Sequence, residues 1–235
     1  MKHTLLIKDW LSSFLSLLFP RCCVVCGRPL AKGEECICTV CNINLPRTNY
    51  HLRKDNPVER LFWGQIPLER ATSFFFYEKG SDFRLILHRL KYGGQKEIGA
   101  IMGRYMAAEL LSSHFFQGID VIIPIPLHKK KQQIRGYNQS EWIARGIAAV
   151  TGIPIDTESI LRKKNTETQT RKSVFERRDN VEGIFELQHP ETLAGKHILI
   201  VDDVLTTGST TLACASCLVN VEGIRISILT LATVE

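Results

Sequence analysis

No stretch of this 235-residue chain is long and apolar enough to span a bilayer, which excludes a protein built on membrane-crossing helices. The nearest approach is the N-terminal run MKHTLLIKDWLSSFLSLLF, and Lys8 and Asp9 interrupt it. It also lacks the small-residue cleavage site of a secretory leader, since Arg21-Cys22-Cys23 stand where one would fall. Cysteine is scarce over most of the chain: six of the eight lie between Cys22 and Cys41. So dense a cluster argues against disulfides spread through a secreted protein, and its spacing lacks the ferredoxin pattern of an iron–sulfur protein.

What remains is an ordinary globular composition, 44% hydrophobic and 23% charged, long enough for one large or two modest domains. The formal net charge of +6 permits an anionic partner without demanding one. A cytoplasmic protein is expected. Ile7, Trp10, Leu11, Phe14, Leu17 and Leu18 recur at helical spacing and predict an amphipathic helix packed on the protein and stopped by Pro20. Its polar face carries too little positive charge to suit a membrane surface.

Cys23-x-x-Cys26 and Cys38-x-x-Cys41 are two pairs, each able to bend into a tight turn offering two thiolates to one ion. Four sulfurs in a closed shell suit a structural Zn²⁺, and a segment this short needs the metal to fold. Cys22 and Cys36 are spare, and either could exchange into the ligand set.

The densest chemistry lies in Ile198 to Thr211, ILIVDDVLTTGSTT. Ile198 to Val201 read as a buried parallel strand, and the carboxylates Asp202 and Asp203 follow at once. Thr206, Thr207, Gly208, Ser209 and Thr210 then form a short loop opening a helix. A helix start has unpaired N–H groups and partial positive charge, and four hydroxyls add donors, so the loop can cradle a phosphate. The acids cannot bind phosphate. They suit the vicinal hydroxyls of a sugar, with or without Mg²⁺ between.

Elsewhere Ala71–Tyr77 predicts a strand, Phe83–Tyr92 an amphipathic helix, Ile98–Phe115 a second helix, and Asp120–Ile125 a buried strand. Lys129, Lys130 and Lys131 follow that strand, where open α/β sheets bind ligands; Lys130 and Lys131 read as a solvated charge run. Arg135, Gly136 and Asn138 precede a helix over Ser140–Val150 and suit a polyanion. A short strand beginning at Ile160–Arg162, a basic stretch over 163–180, a strand at Glu182–Leu187 and a last strand at Ile224–Ala232 complete the pattern. The basic stretch is either a loop closing over the site or a charged hairpin. Cys214 and Cys217 sit in an apolar helical run and read as core. Alternating strands and helices predict a parallel sheet with helices on both faces.

The acid-and-loop stretch resembles the 5-phosphoribosyl 1-pyrophosphate (PRPP) motif of type I phosphoribosyltransferases at every position. The wider chain resembles the ComF family of phosphoribosyltransferase-like proteins. The matches are Leu18–Gly27 with its first cysteine pair, the second pair before Leu45-Pro46, and Leu90-Lys91-Tyr92. IPIPLH at Ile123–His128, RGYNQ at Arg135–Gln139, then Gln169, Arg177, Asn180, Gly183 and Phe185 continue them. The chain divides into the helix over 1–19, a zinc knuckle over 20–46 and, where periodicity is missing, a linker or loosely packed connection over 47–70, and the resemblance implies a type I phosphoribosyltransferase-like domain over 71–235. It implies that Asp202 and Asp203 hold the ribose and orient Mg²⁺, and that Thr206–Thr210 hold the 5-phosphate. Arg135 and nearby lysines such as Lys129 would then neutralise pyrophosphate, and Lys91 with Arg171 or Arg177 could close from the other side. The glutamine-hydrolysing domain of amidophosphoribosyltransferases is not expected, since Lys2 and not cysteine follows Met1.

Kinship with ComF implies PRPP binding in natural competence, with single-stranded DNA and DNA-uptake proteins as partners. The competing expectation is an active Mg²⁺-dependent phosphoribosyltransferase with an unidentified acceptor. A transcriptional regulator of purine supply would need a helix-turn-helix, and none is visible. Acceptor and oligomeric state are not written in these residues.

Overall fold

A computed structural model describes residues 20–163 and 183–234. In chain order the elements are α1 (Thr39–Ile43), α2 (Pro57–Arg60), β1 (Leu68–Phe76), α3 (Arg84–Tyr92), α4 (Glu97–Leu110) and β2 (Val121–Pro124). Then come α5 (Lys129–Arg135), α6 (Gln139–Thr151), β3 (Ile160–Arg162), β4 (Phe185–Leu187), β5 (His197–Leu205), α7 (Ser209–Ser216) and β6 (Arg225–Thr233). The expected helix over residues 1–19, and Gln169, Arg171, Arg177 and Asn180, lie outside the described residues.

The strands β1, β6, β5 and β2 form a parallel sheet in that order. β5 is interior, with Ile198 opposite Ile226 on one side and Val121 on the other. Side chains alternate across a strand, so Leu199 and Val201 join the core under α4 and α6, with Leu229, Leu231, Met102, Met106 and Ile143. Ile198 and Ile200 enter a second core with Ile226, Ile228 and the α7 residues Ala213 and Cys214. Covered on both faces, β5 has no polar side to show until its last turn, which is why ILIV reads as unbroken apolar sequence. β3 and β4 pair antiparallel as a separate small sheet.

The α4–α6 contact is unusually close and depends on two glycines. A Cβ at Gly103 would lie 2.2 Å from the Ile143 carbonyl oxygen, and one at Gly146 would lie 2.1 Å from that of Ala100. The obstacle in each case is backbone, which cannot swing aside. Gly146→Ala is therefore expected to destabilise the chain by about 3 kcal/mol, at the upper end of overpacking costs. Urea denaturation would measure it, and an unchanged midpoint would contradict the close packing.

The cysteine segment docks on α4. Val24, Val25, Ile37 and Leu45 belong to the same core as Met102 and Met106. Glu35 pairs with Arg104, and Arg47 Nε lies 2.5 Å from Glu109 Oε2. The stretch 47–70, read from sequence as a linker, is packed rather than loose. Val58 and Phe62 are fully buried, and α2 opens on a capping box in which Asn56 accepts from Val58 and Glu59 N–H. The periodicity signal failed because α2 is a single turn. β1 also starts three residues before the expected Ala71, on the edge of the sheet.

Candidate functional site

β5 runs through both acids to Leu205 instead of ending before them. Strand neighbours face opposite sides, so the pair straddles the carboxyl end of the sheet. Asp203 turns toward α3, where Lys91 Nζ lies 3.1 Å from its Oδ1. Asp202 Oδ1 accepts from the Ser140 hydroxyl at 2.9 Å and from the Asp203 N–H at 2.8 Å. Burial first, and then the neighbouring Asp203 charge, push the Asp202 carboxyl up to about 7, against the pull of those two donors and of Lys91. Asp203 is buried and Asp202 half-buried at the carboxyl end of the sheet, and a carboxyl so perturbed in that position is a candidate ligand-binding group.

The loop beyond the acids leaves hydrogen-bond donors open at the start of a helix. Gly208 takes the left-handed conformation at φ +73°, which strains any other residue, and a Cβ there would reach Phe62 at 3.4 Å. It is also the N-cap of α7, and no side chain caps that helix. The first N–H groups of α7 are thus unclaimed by a cap. Thr206, Thr207 and Thr210 are exposed around them, Ser209 is half-buried, and the Thr207 and Ser209 hydroxyls lie 2.9 Å apart.

Cations face the acids from the other side. Burial lowers the Lys131 ammonium pKa, and Arg162, Arg135 and Lys91 lower it further, which places four cations together. Burial also lowers Arg162, while Asp202 opposes the shift. Arg135 Nη1 donates to Gln139 Oε1 at 2.8 Å, and its guanidinium stacks 5.5 Å from the Tyr92 ring centroid. Gly136 ends α5 in the left-handed conformation. Asn138 is scaffold to the site: its amide donates to Ile125 O at 3.0 Å and its Oδ1 caps Ser140 N–H at 3.2 Å. Lys129 is exposed at the first position of α5, and Lys131, read as solvated, is the lysine turned toward the other cations. Residues 129–135 carry no helical expectation from sequence, so the facing of α5 comes from the structure alone. Ser140, Lys131 and Arg162 were missed. Ser140 follows an Asn cap by two residues, which is a usable signal, but Arg162 sits in a three-residue strand that carries none.

Among the described residues, a groove of about 610 Å³ is lined in part by Tyr50, Arg53, Trp63 and Arg70, away from the acid site. A further feature is the cysteine cluster. The sulfurs of Cys23, Cys26, Cys38 and Cys41 all lie within 4.8 Å of one another. Cys26 and Cys38 Sγ are 3.7 Å apart, close to the ~3.8 Å edge of a tetrahedron with zinc–sulfur bonds. Cys38 N–H donates to Cys23 Sγ at 3.3 Å, as N–H groups do to metal-bound thiolates. The Arg28 N–H holds the Cys26 thiol down to about 6, readying a thiolate. The donor set fits a thiolate-binding metal ion. The spare cysteines are outside it: Cys22 is exposed, and Cys36 is buried with its thiol 3.9 Å from Met102 Sδ.

Residues 139–234 match the phosphoribosyl transferase domain family. The DNA utilization protein YhgH of Escherichia coli O157:H7 is 32% identical over 209 residues, covering 83% of this chain and 88% of that protein. Competence protein F of Haemophilus influenzae is 32% identical over 130 residues, covering 54% of this chain and 57% of that protein. Competence protein ComFC of Bacillus subtilis is 26% identical over 214 residues, covering 89% and 82%.

Proposed function

The chain belongs to the ComF family of phosphoribosyltransferase-like proteins, and from this we propose that it binds PRPP with Mg²⁺ and acts in the uptake and handling of single-stranded DNA during natural transformation. One observation carries the PRPP reading: the pair Asp202–Asp203 lies at the foot of an uncapped, glycine-started helix, with four cations across from it. A donor-rich cradle, an acid pair and a cationic wall match in order the 5-phosphate, the ribose diol and the pyrophosphate of one molecule. The names of the relatives support the DNA role.

In this reading the α7 N–H groups, with Thr206, Thr207, Ser209 and Thr210, take the 5-phosphate. Asp202 and Asp203 accept hydrogen bonds from the ribose hydroxyls, and the ligand releases Lys91 from Asp203 toward the pyrophosphate. Arg135, Lys131 and Arg162 supply the remaining positive charge, and Lys129, Arg171 and Arg177 remain candidates beside them. Mg²⁺ would be held between the pyrophosphate and the acids and would supply charge neutralisation. Zn²⁺ is the ion proposed for the four cysteines, and the cytoplasm the compartment.

An intact acid pair also leaves a second reading, turnover. The acids would sit beside the positive charge that grows on the sugar as pyrophosphate leaves, so stabilisation would be electrostatic. Calorimetric titration of the full chain with PRPP and Mg²⁺ tests the proposal. PRPP should bind at least tenfold more tightly than ribose 5-phosphate, which lacks the group facing the cations, and Asp202→Asn/Asp203→Asn should lose most affinity. No heat, or equal binding by the double variant, would sink it. Release of pyrophosphate across a panel of acceptors would favour turnover.

A further inference from the structure

The positive charge of this protein is not spread evenly. Residues 84–96 and 129–145 hold nine lysines and arginines against one carboxylate, Glu141, which pairs with Arg145 at 2.7 Å, and Glu97 adjoins Lys96 at the strip's edge; the rest of the chain is slightly acidic although the whole carries +6. The fold brings these two segments together. The Tyr137 hydroxyl donates to Leu90 O at 2.6 Å, tying the last turn of α3 to the α5–α6 junction. A Cβ on Gly99 would lie 3.0 Å from Trp142 Cβ, so the first turn of α4 rests on α6. The result is a basic strip that leaves the site at Lys91 and runs outward past Tyr92 to Lys96, Trp142 and Arg145.

Rings interleave the charges along it. Tyr92 is 69% exposed although it ends an amphipathic helix, and it lies between His88, at 5.3 Å, and Arg135, at 5.5 Å. Trp142 is flanked by Lys96 at 4.8 Å and Arg145 at 5.1 Å. Ile134 is 85% exposed on α5, beside the same rim. An exposed ring set among cations has little use on a plain solvated face. It has a use against a polyanion whose own rings are unstacked, because bases stack on the aromatic side chains while phosphates meet the cations.

We infer that this strip is where single-stranded nucleic acid lies, with a base stacked on Tyr92 and phosphates against Lys96 and Arg145. The inference rests on the proposed role in handling single-stranded DNA, and it adds the surface that the strand occupies. Paired bases cannot stack on Tyr92, so duplex binds more weakly. One end of the strip meets Lys91, which places the strand beside the PRPP site rather than in it.

The test is fluorescence anisotropy of a labelled oligothymidylate with the full-length, metal-loaded protein, read at several salt concentrations. Tyr92→Ala should weaken binding about tenfold, the equivalent of one stacked base, and Tyr92→Phe should restore it to within about twofold. Lys96→Gln/Arg145→Gln should flatten the log–log salt slope by about 1.4, because two phosphates are no longer neutralised. PRPP calorimetry should be unchanged in Tyr92→Phe, which keeps the ring beside Arg135, and in Lys96→Gln/Arg145→Gln, which separates this strip from the site; an unchanged melting temperature shows that Tyr92→Ala folds. Wild-type affinity in Tyr92→Ala, an unchanged slope, or equal affinity for duplex would overturn the strip. So would displacement of the oligonucleotide by anionic phospholipid vesicles through the same residues. If the wild-type chain binds no oligonucleotide, the strip fails while the PRPP reading stands or falls by its own titration.

Discussion

Cys38→Ser, or chelation of the knuckle metal, is expected to lower the melting temperature of the whole chain by about 10 °C or more rather than to fray its N-terminus. The reason lies in where the knuckle sits. Cys23 and Ile37 are 1% exposed and Cys38 is 6% exposed, and they join one core with the α4 residues Met102 and Met106, both fully buried. Without the metal, four thiolates or thiols at mutual distances under 4.8 Å have no partner to hold them, and the turns at Cys23–Cys26 and Cys38–Cys41 open. The damage then spreads to α4. Its outer face is stripped of Ile37, Val24, Val25 and Leu45, each hydrophobic side chain being worth ~1.5–3 kcal/mol when buried, and of the Arg104–Glu35 and Arg47–Glu109 pairs. Two controls sharpen the measurement. Cys22→Ser should leave both metal content and melting unchanged, because Cys22 is exposed and outside the cluster. Cys36→Ser should keep the metal while costing stability, since it places a hydroxyl against Met102 Sδ. Scanning calorimetry with metal analysis reads all three, and a chelated wild-type chain that melts as before would refute the account.

The parts of this molecule legible from sequence are those in which local chemistry and tertiary role coincide. ILIV had to be a strand covered on both faces, and it is. The two cysteine pairs had to meet, and they do. The loop after the acids carries Thr and Ser residues of the kind that cap helices, yet no side chain caps α7, which leaves its first N–H groups without a capping partner. Less legible was anything decided by helix facing. Three successive lysines on α5 point in three directions about 100° apart, and only tertiary contact turns Lys131 rather than Lys129 toward Arg135 and Arg162. Arg162 and Phe62 are clearer cases still. One comes from a three-residue strand, the other from the turn after α2, and each reaches the site only through the fold: Arg162 toward Asp202, Phe62 beneath Gly208.

Asp202→Asn is expected to do two opposite things: to weaken PRPP binding by about 100-fold or more, and to raise the stability of the unliganded chain at pH 8. The binding loss follows from replacing a charged acceptor with a neutral amide at the ribose diol, and charged hydrogen bonds in a buried site are worth ~1.5–3 kcal/mol each. The stability gain follows from linkage. Burial and the Asp203 charge raise the folded carboxyl to about 7, whereas an exposed aspartate in the unfolded chain titrates near the ordinary 3.8. A group raised in this way adds stability fully below its unfolded value and loses it as the pH climbs through about 7. At pH 8 the folded chain therefore carries a carboxylate that it holds at a cost. Asparagine removes that cost, while its Oδ1 still accepts from Ser140 and from the Asp203 N–H. A rise of ~2 kcal/mol, or ~4–8 °C, is expected at pH 8, fading and then reversing toward pH 4. His197 also titrates, being buried and held below its usual value, so the reading is the variant minus wild type, in which His197 cancels. The same titration sets the pH dependence of binding. PRPP needs the ionised acid, so wild-type affinity should climb up to about tenfold per unit as the pH rises toward 7 and level off above it, and the climb should be absent in Asp202→Asn. A variant that is destabilised at pH 8, or a wild type whose affinity ignores pH between 6 and 8, would show that Asp202 is an ordinary ionised acid and that its burial serves the fold and not the ligand.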